Sequence, residues 1–167
     1  MSTFTTRTGS PLGELILACS DRGLCGVWFE GQRHGPQTQV VQGWQPAPDH
    51  PVLQATAAQL QDYFAGRRTA FDLPLDLSRG TAFQQAVWQA LQAIASGTYQ
   101  SYGHLAARLN KPLAVRAVGA AVGRNPISII VPCHRVLGST GQLTGYAGGL
   151  ERKRALLRLE GHHDLFQ

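Results

Sequence analysis

Cys133 and His134 sit side by side in Val131-Pro132-Cys133-His134-Arg135-Val136, and their types could do covalent chemistry. A thiolate is a strong nucleophile, but an ordinary thiol, with a pKa near ~8.5, is only slightly ionised at neutral pH. A neighbouring imidazole changes that by accepting the proton. Adjacent residues on a strand point to opposite faces, so a direct bond between these two needs an irregular backbone or a bridging water. Pro132 favours such a break. On spacing alone two readings stand: a nucleophile with its base, or a buried cysteine beside a surface histidine.

Cys19 and Cys25 complete a set of three cysteines, too few and too unevenly spaced for a disulfide framework. In a reducing compartment each is a free thiol that is structural, ligating or nucleophilic. Cys19, Cys25 and His34 could ligate zinc, but no clear fourth ligand accompanies them and the chain has no C-x-x-C pair. There is no glycine-rich phosphate loop or nucleotide fingerprint either, so the expectation is a protein without metal or cofactor.

The elements that must position this chemistry are legible in outline. Leu15–Cys19 and Leu24–Phe29 read as short strands separated by the turn-forming Ser20-Asp21-Arg22-Gly23. Residues 31–50, rich in Gly, Gln and Pro, read as a loop. Leu53, Ala57, Leu60 and Phe64 then recur at helical spacing, with Pro51 in the first turn and Gly66 as the stop. Arg67 to Gly80 has no helical period and reads as a connection, which divides the chain into residues 1–80 and 81–167.

The second half is predicted to be helical. Phe83, Val87, Leu91 and Ile94 form one apolar stripe, ended by Gly97. Ser101 can cap a helix over Tyr102–Leu109. Asn110-Lys111-Pro112 breaks it, and Leu113–Val122 makes a second short helix stopped by Gly123, a helix-turn-helix arrangement. Ile127–Val131 reads as a short buried strand before Cys133. A loop with five glycines surrounds Tyr146, and Leu150–Leu159 reads as a last helix with Arg and Lys on its wet face. His162-His163 reads as a mobile tail.

Charge divides along the same line. Residues 1–80 hold six basic against seven acidic residues, and residues 81–167 hold nine against three, so the whole excess of +5 lies in the second half. Such asymmetry suits a polyanion or, equally, a solvated basic face. Arg116 and Arg124 lie where a helix-turn-helix meets nucleic acid. No apolar run approaches the ~20 residues of a membrane helix. MSTFTTRTGSPLGE lacks the charged head and apolar core of a signal peptide, so the expected location is cytoplasmic.

The run Val131–Val136 resembles the active-site signature of the O6-alkylguanine-DNA alkyltransferases, the methylated-DNA–protein-cysteine methyltransferases. Ser101-Tyr102-Gly103, Arg116-Ala117-Val118-Gly119, Asn125-Pro126 and Gly145-Tyr146-Ala147-Gly148-Gly149 fall in that family's order. So does Leu156-Leu157 ahead of Glu160-Gly161. The resemblance covers about 81–161; in the first half it rests on Ser10-Pro11-Leu12-Gly13 and the strand–helix order. It implies an α/β chain in which a small ribonuclease-H-like sheet-plus-helix scaffold precedes a mainly helical, winged helix-turn-helix-like domain.

The resemblance also implies roles. Cys133 is the nucleophile and alkyl acceptor, spent after one transfer; His134 takes its proton through a water, and Glu160 orients the imidazole. Asn125 ties the turn to the helix-turn-helix. Tyr102 donates to the guanine ring and the amide of Ala147 to O6, while Tyr146 walls the pocket. The carbonyls of Cys133 and Val136 accept from the exocyclic amine. Arg116 fills the place of a base flipped out through the minor groove, with Ala117 on the same DNA face. Lys111, Arg124 and Arg135 are candidates for phosphate contact, or equally solvated charges. The implied partner is double-stranded DNA carrying alkylated guanine, met by a monomer; some members hold zinc in the N-terminal domain. Three other readings compete: a damage-sensing binder, which would replace the cysteine; a helix-turn-helix regulator, which would need a sensor domain; and a thiol hydrolase, which would turn over.

Overall fold

Phe4–Thr8 (β1) leads into two apolar runs, Leu15–Ser20 (β2) and Gly23–Phe29 (β3), both buried along their whole length. Strands covered on both faces read as unbroken apolar sequence, which is why no alternation marks them. The computed structural model describes residues 2–163, so the last four residues of the expected 81–167 segment lie outside the described ones. The chain forms two compact units: Met1–Arg79 with Pro126–Ser128, and Gly80–Asn125 with Ile129–Gln167.

In the first unit the strands are ordered β3-β2-β1-β4, β4 being Gln45–Pro46, which runs parallel to β1. The segment 31–50, expected as a loop, contains β4 and a short helix, Thr38–Gln42 (α1). On one face of the sheet Val41 and Trp44 pack on Ile16, Ala18, Cys25 and Trp28, the two indoles stacked at 5.8 Å. Helix Pro51–Phe64 (α2) packs on β1, β2 and β3. Its buried stripe is Leu53, Thr56, Leu60 and Tyr63 rather than one that includes Ala57 and Phe64. The polar Thr56 fits because its hydroxyl donates to the carbonyl of Val52 at 2.7 Å.

The outer edge of β3 is closed by two segments. Leu24 exchanges backbone hydrogen bonds with Pro74 and Asp76, and Val27 does so with Pro126 and Ser128. An edge strand is thereby paired rather than left open. The stretch Arg67–Gly80 is consequently part of this unit at Leu75 and Asp76, where Ser20 and Ser78 donate to the buried Asp76 carboxylate.

The second unit begins at Gly80, where a β-carbon would lie 2.2 Å from the Trp88 ring, so only glycine fits. Thr81 and Gln84 form a reciprocal capping box that starts Ala82–Gln92 (α3). Val87, Trp88, Leu91 and Ile94 are buried, and the Trp88 indole donates to the carbonyl of Ala121 at 2.9 Å. Ser101 accepts from the His104 amide and caps Tyr102–Arg108 (α4). Asn110 ends that turn with φ 59°, a left-handed conformation that asparagine tolerates. Val115–Gly123 (α5) follows, burying Val118, Ala121 and Val122.

Ile127–Val131 is not a strand. Ile127 makes a single bridge to Val27, and the chain then turns with Ile129 at φ 72°. Apolar residues are buried here as an apolar run predicts, but around a turn; periodicity cannot tell the two apart over so few residues. A 3-10 turn, Cys133–Arg135, comes next, then Val136–Leu137 (β6), parallel to Gln100–Ser101 (β5). Leu150–Leu159 (α6) ends the ordered elements. His162, expected in a mobile tail, packs edge-on against Tyr99 with its amide on the Leu157 carbonyl.

The capping box yields a test of the second unit. Thr81→Ala removes one of its two hydrogen bonds and is expected to cost about 1 kcal/mol in denaturant unfolding. An unchanged midpoint would show that the box does not form in solution.

Candidate active site

Cys133 opens the 3-10 turn and is 5% exposed. Three features hold it there. Its amide donates to the carbonyl of Val131 at 2.8 Å, and Asn125 Nδ2 donates to that same carbonyl at 2.7 Å. The short β5–β6 ladder then joins the residues just after the turn to those just before α4. The ladder thereby sets the first residue of α4, Tyr102, near the thiol; burial raises the phenol's pKa, and the charge of a Cys133 thiolate raises it further against a hydrogen bond from Thr144.

Burial pushes the Cys133 thiol above its ordinary value, while a hydrogen bond from Asn125 and the charge of Lys153 favour the thiolate. His134 is fully buried, with Nε2 2.8 Å from Glu160 Oε2. Burial lowers its pKa, and the cations Arg135 and Lys153 lower it further, against the upward pull of Glu160. The imidazole is therefore neutral. Its Nδ1 has no hydrogen-bond partner among the described residues, so the ring has one nitrogen committed and one to spare. Burial alone would raise Glu160, but hydrogen bonds from His134 and Arg135 hold it well below the usual carboxylate range.

Arg135, a candidate for phosphate contact from sequence, is corrected by its surroundings. It is 6% exposed, and its Nε and Nη2 engage Glu160 at 2.7 and 3.0 Å. Its Nη1 donates to the Ile94 carbonyl at 2.6 Å. All three contacts are internal.

Lys153 is the residue the sequence reading misplaced. It was expected on the wet face of the last helix, yet its side chain is fully buried. Nζ donates to the carbonyls of Thr144 and Gly145 at 2.8 and 3.2 Å and lies 6.0 Å from the Tyr102 ring centre. Burial pushes its pKa down to about 8. A signal was present: Lys153, Leu156, Leu157 and Glu160 recur at helical spacing, so position 153 falls on the inward stripe.

The other residues divide cleanly. Val136 is buried beside the turn, and Tyr146 and Ala147 are half-buried in the loop whose carbonyls hold Lys153. Arg116, Ala117, Lys111 and Arg124 are exposed on the helix-turn-helix, as are the apolar Leu113 and Val115. Cys19 and Cys25 are buried, and burial raises both thiols, Cys19 to about 11. Among the described residues no group of three or more His, Cys, Asp or Glu is placed to hold a metal, and no helix is long and apolar enough to cross a membrane.

A sheet-and-helix unit joined to a helix-turn-helix unit with a thiol buried among ionisable groups defines a two-part α/β protein with a cysteine-centred site. Residues 82–162 match the family described as 6-O-methylguanine DNA methyltransferase, DNA binding domain, and residues 4–77 match its ribonuclease-like domain. The methylated-DNA–protein-cysteine methyltransferase of Mycobacterium tuberculosis H37Rv is 50% identical over 151 residues, 90% of this chain and 88% of that one. That of Haemophilus influenzae is 47% identical over 152 residues, 90% and 82% of the two chains. The crystal structure of Mycobacterium tuberculosis O6-methylguanine methyltransferase aligns with a TM-score of 0.84 at 47% identity, covering 95% of this chain and 92% of that one. A structure from the same organism in complex with DNA gives 0.82 at 48%, covering 96% and 92%. The chain belongs to the 6-O-methylguanine DNA methyltransferase family.

The depressed pKa of Glu160 has a signed consequence. A carboxylate lowered on folding adds stability above its unfolded value, ordinarily 4.5, and that stability is lost as pH falls through the folded value. Glu160→Gln is expected to cost about 3 kcal/mol at pH 7 by breaking a buried pair. The gap from the unsubstituted protein should narrow steadily below the ordinary carboxylate pKa. A gap independent of pH in acid unfolding curves would contradict the assignment.

Proposed function

We propose that this protein repairs DNA by moving the alkyl group from O6 of an alkylated guanine to Sγ of its own Cys133, once per molecule. The observation that carries this reading is a buried thiol with Asn125 and Lys153 favouring its anion, next to a neutral imidazole with one nitrogen to spare. Sγ attacks the alkyl carbon in a displacement: the S–C bond forms as the C–O6 bond breaks, and the electron pair leaves on O6. The thiol proton passes through a water to Nδ1 of His134, whose Nε2–H is held by Glu160, the logic of a catalytic triad with sulfur in place of oxygen. The guanine anion takes a proton at N1 from water and is restored in its keto form, while the His134 imidazolium gives the thiol's proton back to water, so charge and protons balance.

The leaving group is an oxyanion, so donors at the ring lower the barrier. Burial holds the Tyr102 phenol above its ordinary pKa, which keeps it a donor. The amide of Ala147 serves O6, the carbonyls of Cys133 and Val136 take the exocyclic amine, and Tyr146 closes the pocket. A base cannot reach a buried thiol while stacked, so it is flipped out through the minor groove with Arg116 filling its place. Ala117 faces the same groove, and Lys111 and Arg124 contact phosphates. The working protein is read as a monomer in the cytoplasm, every described residue of the site coming from the second unit. A thioether is stable to the groups described around Cys133, namely Asn125, His134, Tyr102 and Lys153. No cofactor or zinc is needed, because the alkyl carbon is already activated by its guanine leaving group. A binder that only senses damage would have no use for the thiol and its proton acceptor.

Two experiments test this. Duplex DNA carrying O6-methylguanine, in excess, should add the mass of one methyl in place of one proton at Cys133, saturating at one per chain. Continued product release with no adduct points to a hydrolase and sinks the proposal. Arg116→Ala should slow repair in duplex by roughly tenfold or more, the worth of one lost contact of about 1.4 kcal/mol. Its reaction with free O6-benzylguanine should change little, since a free base needs no flipping. Equal losses on both substrates would remove the finger role from Arg116.

A further inference from the structure

Arg135 spends all its contacts inside the protein, and what they do to Glu160 bears on the reaction. Nε meets Oε1 at 2.7 Å and Nη2 meets Oε2 at 3.0 Å, a two-pronged fork on the carboxylate. Oε2 also takes the bond from His134 Nε2 at 2.8 Å. The third prong, Nη1 on the Ile94 carbonyl, fixes the guanidinium to the end of α3. We propose that Arg135 is a positioning residue of alkyl transfer: by neutralising Glu160 it keeps His134 a neutral, Nε2-protonated ring whose Nδ1 lone pair can take the thiol proton. This rests on the roles given to Cys133 and His134 above.

The charge balance of the cluster makes the case. With the guanidinium present, Glu160 and Arg135 cancel and the imidazole need carry nothing. Take the guanidinium away and a buried carboxylate stands beside an imidazole. The least costly remedy is then a proton shared between them, which makes the ring an imidazolium. An imidazolium has both nitrogens protonated and no lone pair for the thiol's proton. The location adds to the demand, since Glu160 is the C-cap of α6, where unpaired carbonyls already disfavour an anion. The charged groups facing His134 are Glu160 and Lys153 from α6 and Arg135 from its own turn, with Cys133 beside it. Both cations oppose ring protonation, and of these only Arg135 also holds the carboxylate in place. A lysine could match the charge but not the planar fork.

The test is the pH dependence of methyl transfer to Cys133 from duplex DNA, read by intact mass, in the full chain. The rate of the unsubstituted protein should rise with pH through the His134 titration and level off. In Arg135→Gln the midpoint should move up by about one pH unit, so that the rate is about tenfold lower below the midpoint and recovers above it. Arg135→Lys should move it in the same direction by a smaller step. A merely structural role predicts instead equal losses at every pH, and that result overturns the proposal. Nitrogen NMR of labelled histidine gives a second reading. His134 should be protonated at Nε2 alone at pH 7 in the unsubstituted protein, and doubly protonated in a larger fraction of molecules in the variants. If the glutamine variant does not fold, the lysine variant decides: an unmoved midpoint and unmoved nitrogen shifts overturn the proposal. Absence of any adduct in the unsubstituted protein would instead remove the functional reading beneath it.

Discussion

A carboxylate taken out of water must be surrounded by donors or give up its charge. Glu160, with 2% of its side chain exposed, meets that demand with His134 and Arg135. Both partners lie on one 3-10 turn, and Arg135 in turn is tied to the end of α3. Satisfying one buried charge therefore brings together the C-cap of α6, the turn that carries Cys133 and the residues after α3. The orientation of the imidazole is a by-product of that arrangement. A turn held less firmly would leave the thiol without a defined proton acceptor.

The thiol also needs a backbone that regular structure does not supply. On a strand, Cys133 and His134 would face opposite sides. The chain avoids this by bending twice, first at Ile129, a β-branched residue at φ 72°, and then in the 3-10 turn after Pro132. Such a conformation costs on the order of 1–3 kcal/mol and persists only where its surroundings enforce it. Asn125 is one enforcer, through its bond to the Val131 carbonyl. The same side chain also bonds the thiol, so the residue that stabilises the bend also favours the anion.

What could be read in advance depended on how local each decision was. The Ser101 cap, the stop after α4 and the apolar runs of β2 and β3 are settled within a few residues, and their sequence signals were correspondingly clear. The fate of Ile127–Val131 was not, because a buried apolar run suits a strand and a turn alike. Burial of Arg135 and Lys153 was hidden for a different reason. A charged residue goes inside only when distant groups wait for it: Glu160 and the Ile94 carbonyl for one, the Thr144 and Gly145 carbonyls for the other. Family resemblance named Cys133, His134, Glu160, Asn125 and Tyr102. It did not reveal that the neighbouring arginine belongs to the same cluster.

Lys153 and Glu160 lie seven residues apart on α6 and both turn inward, a buried cation two turns from a buried anion. Moving a proton from Cys133 to His134 creates charges of the opposite kind at each place. The new thiolate falls under the influence of Lys153, and the new imidazolium bonds the Glu160 carboxylate. One helix thus offers fixed charges that match the separated pair and fit the neutral pair less well. Preorganised charge of this kind acts most strongly where water is excluded. Burial, which by itself holds the thiol protonated and the ring neutral, is therefore also what makes the helix's two charges effective once the proton moves.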